Sequence, residues 1–371
     1  MSLKRLFLVF ICFQTLAGLL HSQTDTSLYH IPELAECCDG QLLRSEFIFS
    51  YESRPTHQCH ASTIEEIDGG FIAAWFGGTH EGHKDVGIWV SINTKGSWSQ
   101  PVEVVNGILD NGLRYPCWNP VLFEPEGSPL LLFYKVGPGP QKWWGMLITS
   151  DDNGKSWSEP QNLGSGIHGK LIGPVKNKPL QLNDSTIICP SSKEYTNENG
   201  ELFWRVFFEI SFNRGRTWKA TGYINDGLDY DAIQPGLLVH PGNRLQALCR
   251  SKQNVITQSW SSDGGFTWTR MTVTDLPNPD SGLDAVTLAD GRHVLVYNHT
   301  QSKAGFPEGR NMLNIAVSLD GSIWKPVVTL EKQEGEYSYP AIIQASDGLL
   351  HITYTYQRRT IKHIVIDPEN L

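Results

Sequence analysis

"SDDNGKSW" occupies residues 150–157 and "SSDGGFTW" residues 261–268. Both spell Ser-x-Asp-x-Gly-x-Ser/Thr-Trp. Looser copies are "SFNRGRTW" at 211–218, with Asn213 in place of Asp, "SLDGSIW" at 318–324, one residue short, and "SINTKGSW" at 91–98. Their last residues, Trp98, Trp157, Trp218, Trp268 and Trp324, lie 50 to 61 residues apart. A repeat of that period marks a propeller or a similar array. Within each box, Ser or Thr and Asp can hydrogen-bond local backbone, Gly supplies a positive φ, and Trp packs the hairpin on its sheet. The boxes are therefore expected to staple blades together, with no chemistry on Asp152 or Asp263. A calcium loop is not expected in "DDNGKS", because the glutamate that closes an EF-type loop is missing.

A second repeat fixes the count. "HASTIEEIDGGFIAAWFGG", "NPVLFEPEGSPLLLFYKVG", "KPLQLNDSTIICPSSKE", "QPGLLVHPGNRLQALCRS", "LDAVTLADGRHVLVYNHT" and "YPAIIQASDGLLHITYTYQRR" each read as a strand, a tight turn and a second strand. Six such segments predict an all-β protein, a six-bladed β-propeller of about four strands per blade.

The composition agrees with a folded body. Of 371 residues, 40% are hydrophobic and 19% charged, which sets the chain apart from disordered sequences. The formal net charge of −9 argues against a nucleic-acid partner but not against a small anionic ligand, since a few converging cations dominate one pocket. Lys4 and Arg5 precede an apolar run from Leu6 to Leu20, the pattern of a secretory signal peptide. The expected division is a signal peptide at 1–22, a lead-in at 23–44 and the propeller at 45–371. A secreted or periplasmic monomer without a membrane span follows. Cys12 leaves with the leader, while Cys37, Cys38, Cys59, Cys117, Cys189 and Cys249 remain in a compartment that permits disulfides.

The repeated Asp boxes and the six-unit period resemble the sialidase (neuraminidase) superfamily, over roughly residues 45 to 365. In a propeller the inner strands line the channel and one face carries the site. The segment starts supply His60, Asn119, Lys178, Gln234, Asp284 and Tyr339; the ends of the second strands supply His80, Glu81 and His83, then Lys135, Lys193, Arg250, His299 and Arg358. The resemblance implies a substrate carboxylate held by three arginines, a tyrosine nucleophile assisted by a glutamate, and an aspartate acid/base. Tyr339 in "YSYPAII" resembles the nucleophile, Asp85 in "HKDVGIW" the acid/base, Arg250 in "ALCRS" the second arginine and Arg310 in "EGRNMLNIAVS" the third. The departures are the histidines: His57 and His60 stand near the expected first arginine, with Arg54 displaced, and His80 and His83 fill "GGTHEGHKD". The glutamate position falls on Gln234.

Histidines in place of arginines exchange fixed charge for groups that titrate near neutrality, which suits proton transfer. The leading expectation is β-elimination beside a uronate carboxylate, by a lyase or dehydratase. His60 with His80 or His83 would serve as base and neutraliser, Tyr339 as acid, and Arg250 with Lys135 as carboxylate grip. Lys193, Asn119, Gln234, His299, Arg310 and Trp118 would complete an acidic-oligosaccharide site, with Trp118, Trp143 and Trp144 at the rim. The His60 and His80 pair also resembles the histidine pairs of propeller lyases acting on ulvan-type polysaccharides. The alternatives are an exo-glycosidase of the sialidase kind, with Tyr339 as nucleophile and Asp85 as acid/base, and a non-catalytic glycan-binding propeller. No cofactor is called for, and no metal, because H-x-x-H on a loop does not place both rings on one side.

Overall fold

The computed structural model describes residues 41–302 and 308–371; the signal-peptide reading, Cys37 and Cys38 lie outside the described residues. Among the described residues, six antiparallel sheets of four or five strands follow one another along the chain, with a separate two-stranded ribbon at 165–170. Their inner strands are Gln58–Ile67, Cys117–Phe123, Leu180–Gln181, Ala232–His240, Asp284–Thr287 and Tyr337–Gln344, and each pairs with the next strand in sequence. These are the six hairpins that the sequence displays, so the protein is a six-bladed propeller. The ring closes with Leu42–Phe47, which pairs with Thr360–Ile366 at the outside of blade 6 and so draws residues 42–44 into the propeller.

The alternation of each strand explains where the core sits. Buried aliphatic and aromatic residues of one sheet meet those of the next, as when Val294 and Ile315 of blade 5 join Ile342 and Ile352 of blade 6 in one cluster. Cys59, Cys117, Cys189 and Cys249 are buried free thiols within this packing.

The Asp boxes form the turns between third and fourth strands. Ser150 Oγ donates to Asp152 Oδ1 at 2.8 Å and accepts from the Gly154 N–H at 2.8 Å, while the Ser156 N–H donates to Asp152 Oδ1 at 2.8 Å. The box at 261–268 repeats these bonds through Ser261, Asp263, Gly265 and Thr267. Gly154 at φ 80° and Gly265 at φ 91° are in the left-handed region, and a β-carbon on them would collide with Ile72 and Ile188 of the preceding blades. Only glycine satisfies both the turn and the close approach between blades.

The opposite ends of the inner strands are built differently. Ala61, Asn119, Gln234 and Tyr339 have φ of 58°, 31°, 57° and 54°, and each stands at a break in strand register: His60/Thr63, Trp118/Val121, Ile233/Gly236 and Ser338/Ala341. These are β-bulges, which re-aim a side chain at the cost of about 1–3 kcal/mol of backbone strain each. Three precede proline, Pro120, Pro235 and Pro340, which has no N–H to give to the interrupted ladder. Four blades thus spend strain at one level of the channel.

Candidate active site

Tyr339 sits at the centre of that level. Its bulged backbone turns the ring inward, where it is 9% exposed and lies 4.1 Å, centroid to centroid, from the ring of His60 on the neighbouring blade. Arg250, at the end of the second strand of blade 4, donates through Nη1 to Tyr339 Oη at 2.6 Å and to Gln234 Oε1 at 3.1 Å. Its other edge grips Asp280 Oδ1 through Nε at 2.9 Å and Nη2 at 2.5 Å. The Arg310 guanidinium lies 5.5 Å from the Tyr339 ring centroid and bonds Glu336 at 3.2 Å. Glu336 also takes Arg358 Nε at 2.8 Å, and Arg358 continues to Glu81. Glu81 belongs to the loop that carries His80, His83 and Asp85, so one chain of ion pairs ties that loop to the tyrosine strand.

Two guanidiniums therefore meet one phenol, and a third, Arg358, is tied to them through Glu336. Burial alone would lower the pKa of Arg250, but the facing Tyr339 and Asp280 outweigh it and raise it; Arg310 is lowered, chiefly by burial, and remains a cation. Glu336 is held below its usual range because Arg358 and Arg310 overcome the effect of burial. Burial first, then the fields of Arg358, Arg310, Arg250 and Lys176, push His60 well below 6.5, so its imidazole is neutral. His60 Nδ1 is buried with no hydrogen-bond partner among the described residues. Beneath them Lys176 plugs the axis, donating to Asn177 Oδ1 at 2.8 Å, to the Leu283 carbonyl at 2.7 Å and to that of Pro340, and burial lowers it to about 7.

The loop from Thr79 to Val86 forms the second half. Asp85 accepts from the Thr79 N–H at 3.0 Å, from Thr79 Oγ1 at 2.6 Å and from His83 Nδ1 at 2.7 Å. Burial pushes its carboxyl up, but those donors outweigh burial and hold it at about 2. The His80 and His83 rings are 5.1 Å apart, His80 exposed and His83 half-buried.

The structure thus gathers His60, Gln234, Arg250, Arg310 and Tyr339 in one group, and His80, His83 and Asp85 in a second. Other expected residues stand elsewhere. Lys135 is fully buried and spends its ammonium on the carbonyls of Asn119, at 3.1 Å, and Pro174; Asn119 itself occupies the matching bulge of blade 2. Lys193 donates to the His168 carbonyl at 2.7 Å, and His299 bonds the Tyr297 hydroxyl. Trp118 and Trp143 are packed against each other in the core, with Trp118 Nε1 bonded to the Gly137 carbonyl at 2.8 Å, instead of forming a sugar-stacking rim. Lys178 and Asp284 pair across the channel at 2.9 Å. Asp280 and Glu336 have no motif to announce them. Arg358 occupies the strand end of blade 6 that Arg250 occupies in blade 4, so the repeat alone points to it.

A family model described as a BNR repeat-like domain matches residues 69–352. The chain belongs to that family. A "Sialidase" of Bacteroides fragilis (strain YCH46) is 24% identical over 244 residues, which is 59% of this chain and 42% of that protein. The chain therefore spans less than half of that relative's length. Among solved structures, a protein of unknown function from Dyadobacter fermentans DSM 18053 aligns at TM-score 0.72 and 15% identity, covering 88% of this chain and 98% of its own. The NanB sialidase from Streptococcus pneumoniae aligns at 0.69 and 13%, covering 88% and 71%, and the intramolecular trans-sialidase from Ruminococcus gnavus at 0.65 and 15%, covering 87% and 97%. This BNR-repeat chain is a sialidase-like propeller. Among the described residues no helix is long and apolar enough to cross a membrane.

Proposed function

We propose that this protein is a secreted glycosidase of the sialidase type that releases a terminal acidic sugar. The observation that carries the reading is the convergence of Arg250 and Arg310 on Tyr339, with Arg358 joined through Glu336. Guanidiniums bind a carboxylate in a planar, charge-assisted fashion and fix the sugar ring over the phenol. Tyr339 Oη gives its proton to His60 as it attacks the anomeric carbon; the glycosidic bond breaks and the leaving oxygen takes a proton from a histidine of the loop at 79–86, which the Asp85 carboxylate holds in place; water then displaces the tyrosyl oxygen, and the protons return to the loop and the phenol. The guanidinium N–H at 2.6 Å stabilises negative charge developing on Oη, a role that needs no carboxylate at 234. The neutral imidazole of His60 is the base brought against the tyrosine ring.

A second reading is elimination from a terminal uronate. It draws on His60, neutral, buried and without a partner at Nδ1, next to a tyrosine whose expected carboxylate partner is Gln234. There the base takes the C5 proton, the C4–oxygen bond breaks, the leaving oxygen takes a proton, and the arginines neutralise the carboxylate.

The test is a panel of sialylated and uronate-terminated oligosaccharides, with products followed by mass and ultraviolet absorbance. Free, saturated acidic sugar, lost in Tyr339→Phe and strongly reduced in Asp85→Asn, is the expected result. An absorbing, unsaturated product moves the assignment to elimination, and sugar release untouched by Tyr339→Phe removes the tyrosine from the mechanism.

A further inference from the structure

On the outer side of blades 3 and 4 lies a cavity of about 530 Å³ whose lining includes Arg205, Tyr223, Asp226, Asp229 and Arg270. Its volume is in the range of small-ligand pockets. Strand Leu202–Ser211 connects it to the funnel wall: Trp204 lies under the Arg250 guanidinium, 5.1 Å from its carbon, while the next side chain, Arg205, points to the other face and into this cavity.

Tyr223 is 40% exposed although it is built as a platform. The His168 ring stacks on it at 3.9 Å and 20°, Phe207 meets its edge at 5.8 Å, and His168 is itself fixed by a 2.7 Å bond to the Thr221 carbonyl. Arg205 is aimed by bonds to the Tyr195 hydroxyl, at 3.2 Å, and to the Asn225 carbonyl, at 2.8 Å. Asp226 is locked by the N–H groups of Leu228 and Asp229, and Asp229 pairs with Arg270. A rigid aromatic face, fixed carboxylates and guanidiniums within one cavity is the donor set that holds a pyranose: apolar C–H groups on the ring, paired hydroxyls on the charged groups.

We propose that this cavity is a second carbohydrate site, separate from the funnel, which takes a neutral pyranose against the exposed part of Tyr223, beside the Arg205 guanidinium that lies 6.0 Å from the ring centroid. The neutral choice follows from charge. In the funnel Arg250 and Arg310 reach the phenol, whereas here Asp226 and Asp229 balance Arg205 and Arg270, so the lining carries no net charge to draw in an acidic sugar. The proposal rests on the reading that the protein works on glycans, and its test needs no turnover.

The full chain carrying Tyr339→Phe is titrated with lactose, cellobiose and xylobiose, and binding is followed by saturation-transfer NMR. At least one disaccharide is expected to bind with Kd of roughly 1–10 mM. Adding Tyr223→Ala should weaken it tenfold or more, and Tyr223→Trp, which keeps a stacking face, should retain it. Binding that is unchanged in Tyr223→Ala, binding abolished instead by Arg310→Met in the funnel, or no binding by about 50 mM overturns the site. Wild-type protein that turns over no acidic glycan while keeping Tyr223-dependent binding would overturn the hydrolase reading alone.

Discussion

The two ends of the propeller solve opposite problems. At the Asp-box end, successive blades repeat one set of bonds, and glycine is demanded twice over, by a positive φ and by contact with the blade before it. At the funnel end, four blades repeat a strained bulge, yet the residue on it changes each time: Ala61, Asn119, Gln234, Tyr339. Repetition of side chains marks what holds the ring together; repetition of backbone with changing side chains marks where chemistry is placed.

Substitutions at the two ends should therefore fail in different ways. The largest effect is expected from Tyr339→Phe, which should lower kcat/KM by ~10³-fold or more with the melting temperature nearly unchanged. Arg250→Met should lose both. It removes the guanidinium from Tyr339 and strands Asp280, so activity should fall ~10²-fold or more and stability by about 3 kcal/mol, read by turnover and by denaturant unfolding. At the other end, Gly265→Ala should cost ~1–3 kcal/mol through the strained φ and the collision with Ile188, leaving kcat/KM per folded molecule untouched. If Gly265→Ala instead inactivates a protein that remains folded, the division between the two ends is wrong.

Acid sharpens the same contrast. His60 is neutral in the folded protein, with its pKa well below 6.5, so the unfolded chain binds a proton that the native state refuses. Stability should decline as pH falls below about 6.5, and His60→Gln should flatten that decline. Asp152 and Asp263 are each held at about 2, Asp152 chiefly by the Ser156 hydroxyl and N–H, Asp263 by Thr267 and Ser261 against burial. Their bonds are present above pH 3.8 and are lost only as pH drops through about 2. A melting curve measured against pH should lose the funnel's contribution first. The smallest change is expected from Gln234→Glu, which places a carboxylate beside Arg250: sugar release should stay within about tenfold of the wild type, whereas an eliminase dependent on a neutral His60 should lose more.

How much of this was legible in the sequence follows the same division. The box residues carry local information, since Ser150, Asp152 and Gly154 bond within one turn, and so five boxes and six hairpins fixed the blade count. Tyr339, Arg250, His60 and Gln234 were found because they occupy equivalent points of the repeat. Lys135 occupies such a point too, but alternation along its strand turned it into the wall, where backbone carbonyls take its ammonium. Asp280 and Glu336 were invisible because their roles arise from contacts between blades: Asp280 meets Arg250 across 30 residues and Glu336 meets Arg310 across 26. Trp118 reads as a residue of a rim loop, yet it lies within strand Cys117–Phe123, where a bond to the Gly137 carbonyl and the Trp143 ring hold it in the core.

One measurement bears most directly on the funnel: turnover of acidic oligosaccharides in ¹⁸O-labelled water, with the released sugar weighed. Hydrolysis through Tyr339 puts one labelled oxygen on the released acidic sugar and none appears with Tyr339→Phe. An unlabelled product bearing a conjugated double bond would contradict it and make the funnel an eliminase; no product from any acidic glycan would leave a propeller that binds and does not cut.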